Sequence, residues 1–119
     1  RRCIMIHEGC KNLIVTIVKK GWSEKVIQAS REAGASGGTV LMGRGTGIHE
    51  TQSVFGLPIE PEKEIILTVV EVDQTETILS AIERAAELDS PGMGIAFVIN
   101  LEKIAGRVHM ACGCPDKTQ

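Results

Sequence analysis

The 119-residue chain has no tyrosine, two phenylalanines and one tryptophan. So little aromatic surface leaves no stacking platform of the kind that single-stranded nucleic-acid binders use. Nor is there an excess of positive charge: 13 Lys and Arg stand against 15 Asp and Glu, for a formal net charge of −2. The basic residues form no stripe, so the electrostatic footprint of a nucleic-acid binder is missing too. No apolar run approaches the roughly 20 residues that a membrane-spanning helix needs. Residues 1–11 hold no apolar stretch of secretion-signal length. The expectation is a cytoplasmic protein with no nucleic-acid partner and no integral membrane segment.

With 3% aromatic residues but 43% hydrophobic residues, the core has to be built from Ile, Leu, Val and Ala. The length suits one domain, residues 1–119, with a core over about 12–108 between a short leader and a cysteine-containing tail. The four cysteines, Cys3, Cys10, Cys112 and Cys114, all fall outside the periodic segments. In a reducing compartment they read as thiols, metal ligands or a labile redox pair rather than structural disulfides.

The periodic segments have a clear order. Residues 12–18 are a β-branched run, and their near-continuous apolarity fits a central strand. Residues 22–33 read as a helix, with Ser23 as N-cap, Glu24 at the positive end of the dipole and Gly34 as the stop. Its apolar face is Val26, Ile27, Ser30 and Ala33. Residues 37–42 form a short strand with little apolar bulk, suited to an edge. A loop follows over 43–61, then a strand over 64–72.

The second helix covers 74–88. Asp73 and Glu76 stand at capping-box spacing, and Ile78, Leu79, Ile82, Ala85 and Ala86 form the buried stripe. The last strand is 95–100, with Phe97 as a core residue. Trp22 is expected to close one end of the core. This βαββαβ order predicts an α+β ferredoxin-like sandwich, with both helices on one face. The helix-free face would then expose Val, Ile and Leu, which predicts self-association, with three packed sheets as one compact solution. A loop as long as that between the second and third strands is more often functional than incidental in so small a domain.

Three constellations carry chemistry. In the first, Gly43, Gly45 and Gly47 alternate through the loop base and free backbone N–H groups to converge on an anion, to which Arg44 adds a positive fork. No GK[ST] follows, which excludes a Walker-type NTPase loop. A plain flexible connector is the competing reading. The second is the corner Ser90-Pro91-Gly92-Met93-Gly94, where glycine lets a ligand approach the backbone; taken alone, a tight αβ loop explains it as well. The third is the pair of terminal clusters, Cys3-x3-His7-x2-Cys10 and His109-x2-Cys112-x-Cys114. Antiparallel first and last strands would bring them together, and thiolate with imidazole suits Zn or Cu(I). Solvated tails are the simpler account.

His49 reads as a solvated loop residue. The stretch 54–59 reads equally as a docking element or a packed-down part of the loop. Residues 60–64 read as a solvated, charged lead-in. No base-oriented nucleophile has local support, and the loop acids Glu50 and Glu60 have nothing to tune them, so an enzyme is not expected.

At four places the chain resembles the PII (nitrogen regulatory) signal-transduction family. Gly34-x-x-Gly37-x-Thr39-Val40 is similar to the family segment that enters the second strand. Gly43-Arg44 before a long loop resembles the base of its T-loop. Gly92-x-Gly94 followed by Ala96-Phe97-Val98 is similar to its B-loop. Length and element order agree.

The resemblance implies a homotrimer with no required cofactor. It would bind ATP or ADP in clefts between subunits and regulate a target protein through its T-loop, here residues 45–58. Carried over residue by residue, Gly37 and Thr39 match positions near the adenine. Gly43, Arg44 and Gly45 match the loop base. Gly92, Met93 and Gly94 match the phosphate-facing corner, and Arg107 approximates a family arginine. The chain departs from the pattern at Met93, where the family has aspartate, and at Ile95, where it has a phosphate-binding lysine. With no tyrosine, the tyrosine uridylylation known in part of the family has no acceptor here. A second resemblance, to the metal-tolerance trimer CutA, shares the architecture and implies a metal-binding alternative.

Overall fold

The apolar run at 13–18 is the middle of the longest strand in the molecule. The structure, a computed structural model, describes residues 6–47, 53–54, 57–58 and 60–106. In chain order β1 is Ile6–Lys19, α1 Ser23–Glu32 and β2 Thr39–Arg44. Two short strands follow, β3 Ser53–Val54 and β4 Leu57–Pro58. Then come β5 Glu62–Glu71, α2 Thr75–Ala86 and β6 Gly94–Ala105. The main sheet is antiparallel in the order β2-β5-β1-β6, with β1 central and β2 at an edge. This is the ferredoxin-like α+β sandwich expected from the element order.

Side-chain alternation along the strands sorts the two faces. Ile14, Val18, Ile66 and Val70 meet Val26, Ile78, Ile82 and Ala86 of the helices, and each is at most 1% exposed. Burial of such a side chain is worth about 1.5–3 kcal/mol. Trp22 packs against this cluster as expected, with the Lys25 ammonium 4.4 Å over its ring.

Thr16 and Thr68 share the helix-covered face, and both hydroxyls are buried without a hydrogen-bond partner. An unmade hydrogen bond at a buried hydroxyl costs about 1–3 kcal/mol. Thr68→Val therefore raises stability by about 1 kcal/mol, read as a higher midpoint in urea. A lowered midpoint would show that the hydroxyl has a partner after all.

Four boundaries differ from the sequence reading, each for a tertiary reason. First, β1 starts at Ile6, inside the stretch read as a leader, and β6 runs on to Ala105. The two extensions hold each other by backbone pairing (Ile6 opposite Ala105), although the register shifts between Glu8 and Lys11. Polar residues hid this ribbon from an apolar pattern. Second, the expected loop begins only after Arg44 and contains the β3–β4 pair.

Third, the N-cap of α1 is Trp22, not Ser23. The capping oxygen comes from another element: the Glu64 carboxylate on β5 accepts the Ser23 N–H at 2.9 Å. Partial burial pushes the Glu64 carboxyl up, but hydrogen bonds from Ser23, Gly21 and Trp22 outweigh it and hold the pKa below the usual value. Fourth, the Asp73–Glu76 capping box does not form; residues Val72–Gln74 make a 3-10 turn and Gln74 is the N-cap. Thr75 instead ties the entry of α2 to the sheet. Its hydroxyl donates to the Glu71 carbonyl at 2.9 Å and accepts from Asn12 Nδ2 at 3.0 Å, while Asn100 Nδ2 donates to Asn12 Oδ1 at 2.9 Å.

Both helices end in the same double bond pattern. Gly34 N–H reaches the Arg31 carbonyl and Ala35 N–H that of Ser30; Glu87 N–H reaches Arg84 and Leu88 N–H reaches Glu83. The pattern needs a left-handed residue. Gly34 supplies it at φ 120°, but α2 uses Glu87 at φ 55°. A non-glycine residue there costs on the order of 1 kcal/mol. Glu87→Gly is expected to recover roughly that amount, a rise of about 4–8 °C in Tm for a domain near this size.

The helix-free face is where the structure leaves apolar surface. It carries Leu41, Ile95, Phe97 and Ile99, between 40% and 56% exposed. Phe97 was expected in the core; β6 is an edge strand, and its odd-numbered residues face away from the helices.

Candidate functional site

At one end of that face β2, β5, β1 and β6 meet a cavity of about 710 Å³. Its floor is mostly apolar. Ile17 on β1 lies opposite both Ile65 on β5 and Ile95 on β6, and all three line the cavity. One wall is the start of the long loop, Arg44 through Gly47. The base of that loop is pinched shut by a 3.2 Å bond from the Gly45 N–H to the Pro61 carbonyl. The opposite wall is the corner after α2, from Leu88 through Gly92 to Gly94. That corner is set by bonds from Ser90 N–H to the Glu87 carbonyl and from Met93 N–H to the Ser90 carbonyl.

The two glycine constellations, 45 residues or more apart in sequence, therefore face each other across one space. Strand pairing does this. β2 ends where β5 begins, with Arg44 opposite Glu62, while β6 starts where β1 ends, with Gly94 opposite Val18. Gly94 has to be glycine. At φ 144° a Cβ would be driven into the Ile17 carbonyl oxygen and would press on Val18.

Charge in the cavity is divided. Arg44 on the loop wall and Lys63 on the floor are cationic, and Asp89 on the far wall is anionic. Lys63 is only 8% exposed, so it is not part of a solvated lead-in. Its register explains this: it sits opposite Gly43 and Lys19, on the same face as Ile65. A largely buried lysine beside an exposed arginine suits a small anion with an apolar body.

Of the residues expected at the site, Arg44, Gly45, Gly92 and Gly94 line the cavity. Gly43 lies under Ile65, whose Cδ1 is 3.0 Å from where a Cβ would stand. Gly37 and Thr39 lie at the far end of β2 and do not reach the cavity within one chain, and Met93 is in the corner but not in the lining. Arg107, like His49 and most of the Cys/His clusters, falls outside the described residues. Sequence reasoning missed Lys63 and Asp89. The signal for Lys63 was its place in step with Ile65, Leu67 and Val69; Asp89 gave none. Cys10 corrects the thiol expectation: it is disulfide-bonded. Among the described residues no three His, Cys, Asp or Glu side chains cluster as a metal site would need, and no helix is long and apolar enough to cross a membrane.

Comparison with known proteins agrees with this architecture. The crystal structure of Arabidopsis thaliana PII bound to citrate superposes with a TM-score of 0.63 at 24% identity, over 79% of this chain and 79% of that one. No curated protein matches the chain in sequence. The family profile described as nitrogen regulatory protein P-II matches residues 11–107. That span runs from the middle of β1 past the end of β6 and takes in both walls of the cavity, so the chain belongs to the P-II family of signal-transduction proteins.

Proposed function

We propose that the chain is a homotrimeric regulator rather than an enzyme. It senses a small anionic metabolite, an adenine nucleotide by family analogy, and passes the signal to a target protein through the loop beyond Arg44. The observation that carries this reading is the cavity that sets Arg44, Lys63 and two glycine corners around one space at the root of the long loop. Ile17, Ile65 and Ile95 belong at once to the cavity floor and to the apolar helix-free face. A second copy packed on that face would close the cavity's open side, which supports a cleft shared between subunits. The citrate held by the plant PII protein is a small polyanion and is compatible with such a site.

A ligand that prefers one loop arrangement shifts the loop; one that binds both arrangements equally transmits nothing. Isothermal titration with ATP, ADP and citrate tests the reading. Binding of a nucleotide is expected, with affinity lowered about 10- to 100-fold in Arg44→Ala, the worth of one charge-assisted contact of about 1.5–3 kcal/mol. Flat titrations with all three, or equal affinity in the variant, would remove it.

A further inference from the structure

The cavity carries opposite charges on opposite walls, Arg44 at the root of the long loop and Asp89 in the corner after α2. Both residues are exposed. Among the described residues neither side chain makes a hydrogen bond or an ion pair, so the two share one space without pairing with each other. Asp89 is also the one carboxylate in the described lining, against the two cations Arg44 and Lys63. Given the nucleotide reading of this cavity, on which this step rests, we infer that Asp89 is its specificity-determining residue. It selects an anion that also carries hydroxyl or amino donors, as a nucleoside phosphate does, over a bare polyanion.

The chemistry of the two side chains makes the choice. A guanidinium only donates hydrogen bonds, and an ionised carboxylate only accepts them. The phosphate of a ligand answers Arg44 and is repelled by Asp89. A sugar hydroxyl or a base amino group answers Asp89 with a charge-assisted bond. A ligand with both ends satisfies both walls, whereas a bare polyanion satisfies one wall and is opposed by the other. Discrimination then has a repulsive part as well as an attractive one. The floor of Ile17, Ile65 and Ile95 adds to the preference, because it offers apolar surface to a base and nothing to an inorganic anion.

The corner also presents Asp89 from a fixed backbone. Glu87 and Leu88 N–H close the end of α2 on the Arg84 and Glu83 carbonyls just before it. Ser90 N–H bonds the Glu87 carbonyl, and Met93 N–H bonds the Ser90 carbonyl, just after it. None of these bonds uses the Asp89 side chain, so Asp89→Ala and Asp89→Asn are expected to fold as the parent does.

Isothermal titration of the full-length parent and both variants with ATP and with inorganic tripolyphosphate, at low ionic strength, tests the inference. The parent is expected to bind ATP more tightly than tripolyphosphate. In Asp89→Ala the affinity for ATP is expected to fall about 10- to 100-fold, the worth of one hydrogen bond to a charged group. Tripolyphosphate is expected to bind about 2- to 5-fold more tightly there, because a repulsive charge near the surface has been removed. Asp89→Asn, which keeps an acceptor but not the charge, should regain part of the ATP affinity and keep the gain for tripolyphosphate. A purely structural role for Asp89 would weaken both ligands together. Changes of the same sign for the two ligands, unchanged ATP affinity in Asp89→Ala, or a parent that binds both ligands equally would overturn the role of Asp89 and leave the nucleotide reading standing. A parent that binds neither ligand would overturn both.

Discussion

Gly94→Ala unfolds this protein at a temperature on the order of 10–25 °C below the parent. Two costs combine. The φ of 144° is a conformation that L side chains rarely adopt, and the added methyl is directed at the Ile17 carbonyl oxygen and at Val18. Neither neighbour can give way, because Ile17 is paired on both sides within the sheet and Val18 is 1% exposed in the core. Strain at a special backbone position costs about 1–3 kcal/mol, and overpacking adds a similar 1–3 kcal/mol. At about 4–8 °C per kcal/mol for a domain near this size, the lower part of that combined cost, about 2–3 kcal/mol, already gives the stated range.

Gly45→Ala is the control. It also lines the cavity, but it has no left-handed φ and nothing within 4 Å of the added methyl, so its melting point is expected within about 2 °C of the parent. Thermal melts followed by circular dichroism decide the matter. A Gly94→Ala protein that melts with its parent would show that the corner is not held by this close approach.

Phe97→Asp is expected to separate the copies of the proposed trimer while leaving each fold intact. Phe97 is 40% exposed on the helix-free face, in the edge strand β6, opposite Val15 on β1 and flanked along β6 by Ile95 and Ile99. Exposed apolar patches commonly serve as interfaces, and this face is the proposed one. A carboxylate buried there without a partner is penalised by several kcal/mol per copy. Association is expected to weaken by more than about 100-fold, since each 1.4 kcal/mol is tenfold. In sedimentation the parent is expected to run as a trimer and the variant as a monomer, with far-UV dichroism unchanged. A variant that sediments with its parent would place the interface elsewhere. If the subunit interface also closes the ligand cleft, the same variant loses nucleotide binding, although Phe97 does not line the cavity.

How much of this was legible depends on the range of the interaction concerned. The aliphatic runs of β1 and β5 and the 3.6-residue stripes of both helices could be read directly, because burial of one face imposes a period on the sequence. The ribbon Ile6–Lys11 against Leu101–Ala105 could not, because backbone bonds hold it and its side chains follow no apolar pattern. Glycines could be read as corners of a site. Lys63 was read as solvated because its local neighbours are charged; its burial comes from the strand beside it. Ser23 was read as a cap on the same local grounds, whereas the oxygen that acts there belongs to Glu64, 41 residues away.

The order of elements, the aliphatic core and the central place of β1 were therefore settled by the sequence alone. All of them follow from local spacing and composition. The shared cavity, the buried ammonium in its floor, the exposed Phe97 and the bonded Cys10 were decided only in three dimensions. Each depends on which strand lies next to which, and in an antiparallel sheet that is fixed by register across many tens of residues rather than by any neighbour in the chain.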